Sequence, residues 1–328
     1  MRAVVVGAGA VGTRVARQLH ATDGLEGLVI VDTSPARAEA AVAAVGAPAE
    51  VGQWGPEALD AVDVVVLASP GRHRAAAEVA LEHGAHVVSV ADSIEDVRSL
   101  LDLDAEARER ALVVAVGAAF GPGLSCVLAR HAAAGFDAID EVHVARHGTG
   151  GPACARQHHH ALAADAIDWR DGAWRRRPGG SGRELCSFPD PIGGVDCYRG
   201  GLPDALLLVP AFPGVQRVTG RVAATRRDRL TAHLPMLRRP HPEGAVGAIR
   251  VEVRGRRGTT SDVTVLGALD RPAAAAGAIA AVTAFWAADG RLARAGAAGL
   301  AELVDDAVPF LHDLAHRGVR AAVFEGVG

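Results

Sequence analysis

The chain has 328 residues, of which 49% are hydrophobic and 22% are charged, and its net charge is −4 at pH 7. These values fit a globular protein of two domains and exclude a largely disordered chain. The negative net charge gives no general affinity for nucleic acids, so nucleic-acid binding is not expected.

The residue composition bears on the cellular compartment of the protein and on the catalytic groups available to it. The sequence contains no lysine, which excludes a catalytic lysine amine. Its four cysteines show no Cys-x-x-Cys spacing, as is typical of a reducing compartment, and we expect a cytoplasmic protein. The uncharged runs at 111–129 and 272–288 are interrupted or short, so no membrane span is predicted.

Residues 1–32 follow the order of a dinucleotide-binding βαβ unit. A β-branched run at 2–6 leads into the segment 7–12, Gly-Ala-Gly-Ala-Val-Gly, and a helical apolar pattern follows. We expect Gly7 to make the tight turn, Gly9 to let a pyrophosphate approach the backbone, and Gly12 to bring the helix close to the sheet. The free N–H groups and the dipole of the helix N-terminus would then bind the phosphates.

Asp32 follows the second apolar run and stands twenty residues after Gly12. A carboxylate at this position accepts hydrogen bonds from the ribose hydroxyls and repels a 2′-phosphate, so it predicts NAD as the cofactor. Arg37 lies close enough in the sequence to leave NADP possible.

Apolar runs and helical patterns alternate to about residue 116, which predicts a parallel sheet. Within this part, Ser93 is predicted to cap one long amphipathic helix. Ligands of such sheets bind where the strands end. For His73, the alternative to cofactor contact is a surface position in the first turn of a helix. The residues assigned to the cofactor are Gly7, Gly9, Ala10, Val11, Gly12, Asp32, Thr33, Ala68, Ser69, Pro70, His73, Ala91, Asp92 and Phe120.

The pattern changes near residue 135. From 139 to 269, period-two alternation predicts mainly antiparallel strands, with a hairpin around Asp171-Gly172 and one or two helices. We therefore predict an α/β fold, in which a Rossmann doubly wound parallel sheet carries an inserted α+β domain with a mixed or antiparallel sheet. The expected domains are 1–136 for the dinucleotide and 137–270 for substrate and dimerisation, with helices of 271–328 returning to the first.

Several motifs resemble the saccharopine dehydrogenase-like oxidoreductases. They are Gly-Ala-Ala-Phe-Gly-Pro-Gly at 117–123, Gly-Gly-Pro-Ala at 150–153, Phe-Pro-Gly-Val at 212–215 and Leu-Ala-His-Arg-Gly-Val at 314–319. The resemblance implies NAD(P)-linked redox chemistry at a carbon–nitrogen bond of an amino-acid-like substrate. Gly121 departs from it, because the family often has aspartate there.

Segment 146–160 has the highest density of functional side chains. Cys154 and His158 are four residues apart and would share one face of a helix that begins near residue 153. With no lysine present, we predict His147 or His158 as the proton donor and Arg156 as the ligand of a substrate carboxylate. Two alternatives are a zinc site built from Cys154, His158 and His147, and a helix N-terminus with surface histidines and a structural cysteine.

Four further assignments complete the predicted site. Cys154 and Tyr198 are added as catalytic candidates, although Tyr198 fits a half-buried strand aromatic as well. His159 and Arg199 are added as candidates for substrate binding. No bound metal is predicted.

The predicted function is NAD-dependent hydride transfer at a C=N or C=O carbon of a small amino-acid-like carboxylate, by a homodimer. One alternative is a non-catalytic NAD-binding sensor. The other is a sugar-type dehydrogenase of the glucose–fructose oxidoreductase class, which Ser69-Pro70-x-x-His73 fits. Segment 89–92, Ser-Val-Ala-Asp, lacks the Glu-Lys-Pro turn of that class.

Overall fold

The computed structural model describes residues 1–236, 239–319 and 321–323, which form sixteen strands and twelve α-helices. The strands are β1 (Arg2–Val6), β2 (Gly27–Val31), β3 (Ala49–Val51), β4 (Val64–Leu67), β5 (His86–Ser89), β6 (Val113–Val116), β7 (Ala138–His147), β8 (Ala166–Arg170), β9 (Ala173–Arg177), β10 (Glu184–Phe188), β11 (Gly193–Arg199), β12 (Arg217–Ala223), β13 (Gly247–Arg257), β14 (Thr260–Asp270), β15 (Gly296–Gly299) and β16 (Ala321–Val323). The helices are α1 (Gly12–His20), α2 (Pro35–Val45), α3 (Arg74–Glu82), α4 (Ile94–Leu101), α5 (Asp104–Glu109), α6 (Leu124–Ala133), α7 (Pro152–Ala163), α8 (Asp204–Leu208), α9 (Arg226–Thr231), α10 (Pro272–Ala288), α11 (Leu300–Leu303) and α12 (Ala307–His316).

The first sheet contains seven parallel strands in the spatial order β3-β2-β1-β4-β5-β6-β15. Strands β4 and β6 are buried at every position, which explains why they read as continuous runs of valine, alanine and leucine. Helices cover the sheet, and its strands all end at the same edge. This confirms the predicted doubly wound parallel sheet.

Helix α10 packs on the middle strands of the parallel sheet. It packs against α1, β4 and β5, and 14 of its 17 residues are buried. Gly277 permits this packing, because a Cβ there would lie 2.6 Å from the Cβ of Arg14 and 2.9 Å from its carbonyl carbon. No described helix is both long enough and apolar enough to span a membrane.

The second sheet is mixed. Its strand order is β10-β11-β12-β7-β13-β14-β16, and β8 joins it by pairing with β12 and β9. Strand β12 runs parallel to β7, whereas the other pairs are antiparallel. We call the side with Val142, Val144 and Ile249, which belongs to the main core, the inner face. The opposite side is the outer face, which carries a small apolar cluster with Ala145 and Ala248 and charged residues such as Arg217 and Arg250.

Two local expectations have different outcomes. The hairpin prediction is confirmed, since β8 and β9 pair antiparallel around Asp171 (φ 51°) and Gly172 (φ 74°). The prediction of a single long helix after Ser93 is wrong. Ser93 does cap α4, with its side chain accepting from the N–H of Asp96, but the chain turns after Leu101 and starts again as α5.

The last part of the chain contributes to both sheets. Strand β15 extends the parallel sheet beside β6, and β16 pairs with β14 in the mixed sheet. Helices α11 and α12 both pack against α6. The domain division at residues 136 and 270 stays a prediction.

Candidate active site

The Gly-rich turn after β1 is fixed by steric contacts within the protein. Gly7 has φ of +103°, and a Cβ on it would lie 2.6 Å from the backbone nitrogen of Ser69. A Cβ on Gly12 would lie 1.7 Å from the carbonyl oxygen of Gly7. Glycine at these two positions therefore allows β1, α1 and the end of β4 to meet.

Gly9 has a different environment. Its φ lies outside the left-handed region, and a Cβ on it would meet no protein atom within 4 Å. The backbone N–H groups of Gly9, Ala10 and Val11 donate to no acceptor among the described residues. These features fit the pyrophosphate of a dinucleotide, which would approach closely at Gly9 and accept hydrogen bonds from the turn.

Asp32 is held at the edge of the same turn. Its Oδ2 accepts from the N–H of Ala8 at 2.8 Å, and its Oδ1 accepts from the N–H of Ser34 at 2.7 Å and from Arg37 Nη2 at 2.7 Å. Burial raises the pKa of this carboxyl, but the hydrogen bonds from Arg37, Ser34 and Ala8 outweigh burial and leave the pKa below its usual range. The carboxylate is therefore ionised at neutral pH. Thr33 beside it is exposed.

His73 is buried, with 2% of its surface exposed, so the surface position considered for it is wrong. Its Nε2 lies 2.8 Å from the carbonyl oxygen of Ser69, and its Nδ1 lies 2.8 Å from Ser89 Oγ. The backbone N–H of His73 donates to Asp96. Both ring nitrogens are thus used within the protein, and the side chain fixes the Ser69-Pro70 turn beside Gly7. The assignment of His73 to the cofactor stays a prediction.

The second sheet reaches the nucleotide turn through the loop between β7 and α7. A Cβ on Gly151 would lie 3.0 Å from the Cβ of Ala10, so the start of α7 lies directly beside the Gly-rich turn. The segment around Glu243 also contacts this region, because Arg14 Nη2 lies 2.9 Å from a carboxylate oxygen of Glu243. From its prolines we expect a loop at 235–244, of which residues 237 and 238 lie outside the described part of the chain.

Arg146 connects the second sheet to the turn after β6, although no role was predicted for it. It is 8% exposed and stands on the inner face of β7, where Val142 and Val144 precede it at period two. Its Nη1 donates to the carbonyl oxygen of Gly121 at 2.5 Å. No carboxylate of the described residues lies within 4.0 Å of the guanidinium group. The one sequence signal for it is an arginine that continues an apolar strand face.

Asp92, which follows β5, is a carboxyl group of this cleft with a strongly raised pKa. Burial raises its pKa from 3.8 to about 6, nearby Arg146 opposes this rise, and the carboxylates of Asp204 and Asp96 add to it. Asp92 is only partly covered by other residues, so it stays in contact with the cleft. Its carboxyl is therefore able to gain and lose a proton in the neutral range.

The pKa shifts of His147, Cys154 and His158 favour their neutral forms at pH 7. Burial, with help from Arg146, lowers the pKa of His158 to about 4, and its Nε2 lies 3.1 Å from the carbonyl oxygen of Ala223. Burial raises the pKa of the Cys154 thiol to about 11, and Asp92 adds to this rise. Burial lowers the pKa of His147, whose buried Nδ1 has no hydrogen-bond partner among the described residues.

The structure brings only some of the predicted substrate residues to this cleft. Asp92, Arg146, Cys154 and His158 lie within electrostatic range of one another. His159 Nε2 lies 2.8 Å from the carbonyl oxygen of Leu234, and Arg156 is exposed on α7.

Tyr198 and Arg199 lie away from the cleft. Tyr198 is 1% exposed and packs in a small core with Leu162, under the guanidinium group of Arg229. Tyr198 is thus a strand aromatic, as its alternative had it, but fully and not half buried. Arg199 is bound to Asp168 on the outer face.

The remaining cofactor candidates lie at the ends of β4, β5 and β6. Ala68 and Ser69 are partly covered, Pro70 is exposed, and Ala91 and Phe120 are buried. The described residues contain no group of three or more histidine, cysteine, aspartate or glutamate side chains arranged to bind a metal ion. The zinc alternative therefore has no geometric support.

Comparison with known proteins agrees with this geometry. Residues 1–117 match the sequence model of the oxidoreductase family with an NAD-binding Rossmann fold. No curated protein sequence matches the chain. This match confirms NAD as the cofactor predicted from the turn and Asp32.

Solved structures match over the whole chain. Saccharopine dehydrogenase (L-glutamate forming) from Saccharomyces cerevisiae is 14% identical, with a TM-score of 0.71 over 98% of this chain and 99% of that one. Amine dehydrogenase from Mycobacterium smegmatis is 13% identical, with a TM-score of 0.54 over 92% and 96% of the two chains. The predicted resemblance is thereby confirmed for the fold. The chain has the fold of saccharopine dehydrogenase, and its first 117 residues match an NAD-binding Rossmann fold of the oxidoreductase family.

Proposed function

We propose that the protein is an NAD-dependent dehydrogenase that acts on the carbon–nitrogen bond of a small amino-acid-like carboxylate. The observation that carries this proposal is the environment of Arg146. An arginine is seldom buried without an acidic partner, because an uncompensated buried charge is costly. Arg146 has no such partner among the described residues, and it contacts Gly121 in the turn that follows β6, at the edge where the strands of the parallel sheet end. A substrate carboxylate would satisfy it.

The residues around the nucleotide turn hold the cofactor in this proposal. The N–H groups of Gly9, Ala10 and Val11 bind the phosphates, and Asp32 binds the ribose hydroxyls after Arg37 shifts from it. Bound NAD supplies the hydride acceptor in the oxidative direction.

Arg146 and Asp92 carry opposite charges and act on different groups of the substrate. Arg146 binds the carboxylate and orients the substrate through the guanidinium nitrogens that Gly121 does not use. Asp92 accepts the proton that leaves the substrate nitrogen in the oxidative direction and returns it in the reductive one, since its pKa is about 6. His158 and Cys154 line the same cleft as neutral groups, and the catalytic roles of His147, His158 and Cys154 stay predictions.

The experiment is a substrate screen that follows NADH absorbance. Purified protein would be assayed with NAD⁺ and a panel of amino acids and secondary amines, and with NADH and a panel of oxo acids with and without an amine. We expect turnover with at least one carboxylate-bearing amine or imine. Turnover with neutral sugars alone would overturn the proposal in favour of a sugar-type dehydrogenase. NADH binding without any turnover would favour the sensor alternative.

A further inference from the structure

A recess lined by arginines lies on the outer face of the second sheet, outside the cleft described above. We propose that it binds a phosphate-bearing small molecule. We call it the arginine recess, and its charged lining consists of Asp168, Arg170, Arg175, Arg177, Arg199 and Arg217.

Strand register places these side chains on one face. Asp168 pairs with Arg175 and Arg170 pairs with Arg217, so their side chains project to the same side of the sheet. Arg177 is two residues beyond Arg175 and shares that side. Arg176 projects to the other side, opposite the core residue Ile167.

The recess has more positive than negative charge. It contains five arginines and one aspartate. Arg199 pairs with Asp168 at 2.8 Å, whereas Arg170 and Arg217 have only long pairings, at 3.5 and 3.9 Å, to residues outside the recess. Arg175 and Arg177 have no carboxylate within 4.0 Å among the described residues. Guanidinium groups gathered without counter-charges repel one another, and an anion bridging them removes this cost.

Asp168 suggests the type of anion. It is 6% exposed, its Oδ2 accepts from Arg199 Nε, and its buried Oδ1 has no donor among the described residues. A fully ionised inorganic anion offers no proton to this oxygen. A ligand with both phosphate oxygens and a hydroxyl group, such as a phosphate ester or monohydrogen phosphate, satisfies the arginines and Asp168 together.

The arginine recess is separate from the nucleotide cleft. Arg217 stands at the start of β12, and Ala223, which contacts His158, stands at its end. Six residues of strand span about 20 Å. Arg146 faces the inner side of the sheet, so the sheet itself lies between the two sites. The proposal therefore does not depend on the proposed function.

The test is a calorimetric titration of the full-length protein with inorganic phosphate and with pyrophosphate at constant ionic strength. Saturating NADH would be present, so that pyrophosphate cannot occupy the Gly-rich turn. We expect one saturable site in the wild type, and a loss of affinity of about tenfold or more in R175Q/R177Q, since each charge-assisted hydrogen bond contributes about 1.5–3 kcal/mol.

The control is R176Q, which removes one positive charge from the same strand, against two in R175Q/R177Q, and does so on the other side of the sheet. It should bind as the wild type does. Unchanged NADH binding in all variants would show that they fold. The absence of a saturable site in the wild type, or an equal loss in R176Q and R175Q/R177Q, would overturn the proposal.

Discussion

Two carboxylates follow parallel strands of the same sheet and have opposite electrostatic environments. Asp32 follows β2, and three hydrogen-bond donors keep its pKa below the usual range. Asp92 follows β5, and burial beside two other carboxylates raises its pKa to about 6. One edge of a sheet thus provides a permanently ionised acceptor and a group that exchanges protons near neutrality. Such a separation of pKa values is a common way to assign different roles to similar residues.

Replacing Asp92 should have the largest effect. We expect Asp92→Asn to reduce kcat for the oxidation of an accepted amine by about 10²–10⁴-fold, the range for removing a general base. NADH affinity should stay the same, because Asp92 acts on the substrate in our proposal. Steady-state kinetics with calorimetry of NADH would measure both, and Glu95→Gln, an exposed change three residues away, is the control. Full activity of Asp92→Asn would contradict the role given to Asp92.

Removing the charge of Arg146 should have the next largest effect. Arg146→Met should raise KM for a carboxylate substrate by about 10²-fold, as expected for the loss of a bidentate charge-assisted pair of about 3 kcal/mol. Arg156→Met removes an exposed arginine of α7 and serves as the control. If the Arg156 variant loses more substrate affinity than the Arg146 variant, the original prediction for Arg156 is the better one.

The raised pKa of Asp92 also predicts a change in stability. A carboxyl whose folded pKa lies above its unfolded value destabilises the protein once both states are ionised, and the shift from 3.8 to about 6 corresponds to at most about 3 kcal/mol above pH 6. Asp92→Asn should therefore unfold at higher urea concentration than the wild type at pH 7.5, and this gain should vanish near pH 4. A gain that is independent of pH would contradict this account.

The smallest effect is expected for Arg37, which is exposed and pairs with Asp32. Arg37→Ala removes the charge that neutralises Asp32, so a 2′-phosphate should be repelled more strongly. We expect NADPH affinity to fall a few-fold relative to NADH affinity, in line with about 0.2–1 kcal/mol for an exposed ion pair. Competitive titrations of the two cofactors would measure the ratio, and a shift toward NADPH would contradict the prediction.

The nucleotide half of the site could be predicted from the sequence because its parts are local. The turn at 7–12 and Asp32 belong to one βαβ unit, and glycine spacing reports the backbone geometry directly. The Asp171-Gly172 hairpin was predictable for the same reason. The break between α4 and α5 was not, since the apolar pattern continues through Leu101 and Leu103 although the helix ends.

The substrate half could be predicted only in part, because distant segments assemble it. Asp92, Arg146 and His158 come from three separate elements, and the charge of Arg146 lowers the pKa of Asp92 and of His158 only once these elements meet. Sequence spacing favoured Arg156, which α7 turns outward, over Arg146, which an apolar strand face carries inward. Period-two alternation through Val142 and Val144 was the one signal that pointed to Arg146.

The most direct test of the different roles given to Asp32 and Asp92 is a parallel calorimetric titration of NADH into the wild type, Asp32→Ala and Asp92→Asn. Our account predicts tight binding to the wild type, an affinity about 10²-fold lower for Asp32→Ala through the loss of two hydrogen bonds to an ionised group, and unchanged affinity for Asp92→Asn. Absence of NADH binding to the wild type, or an equal loss in both variants, would contradict it.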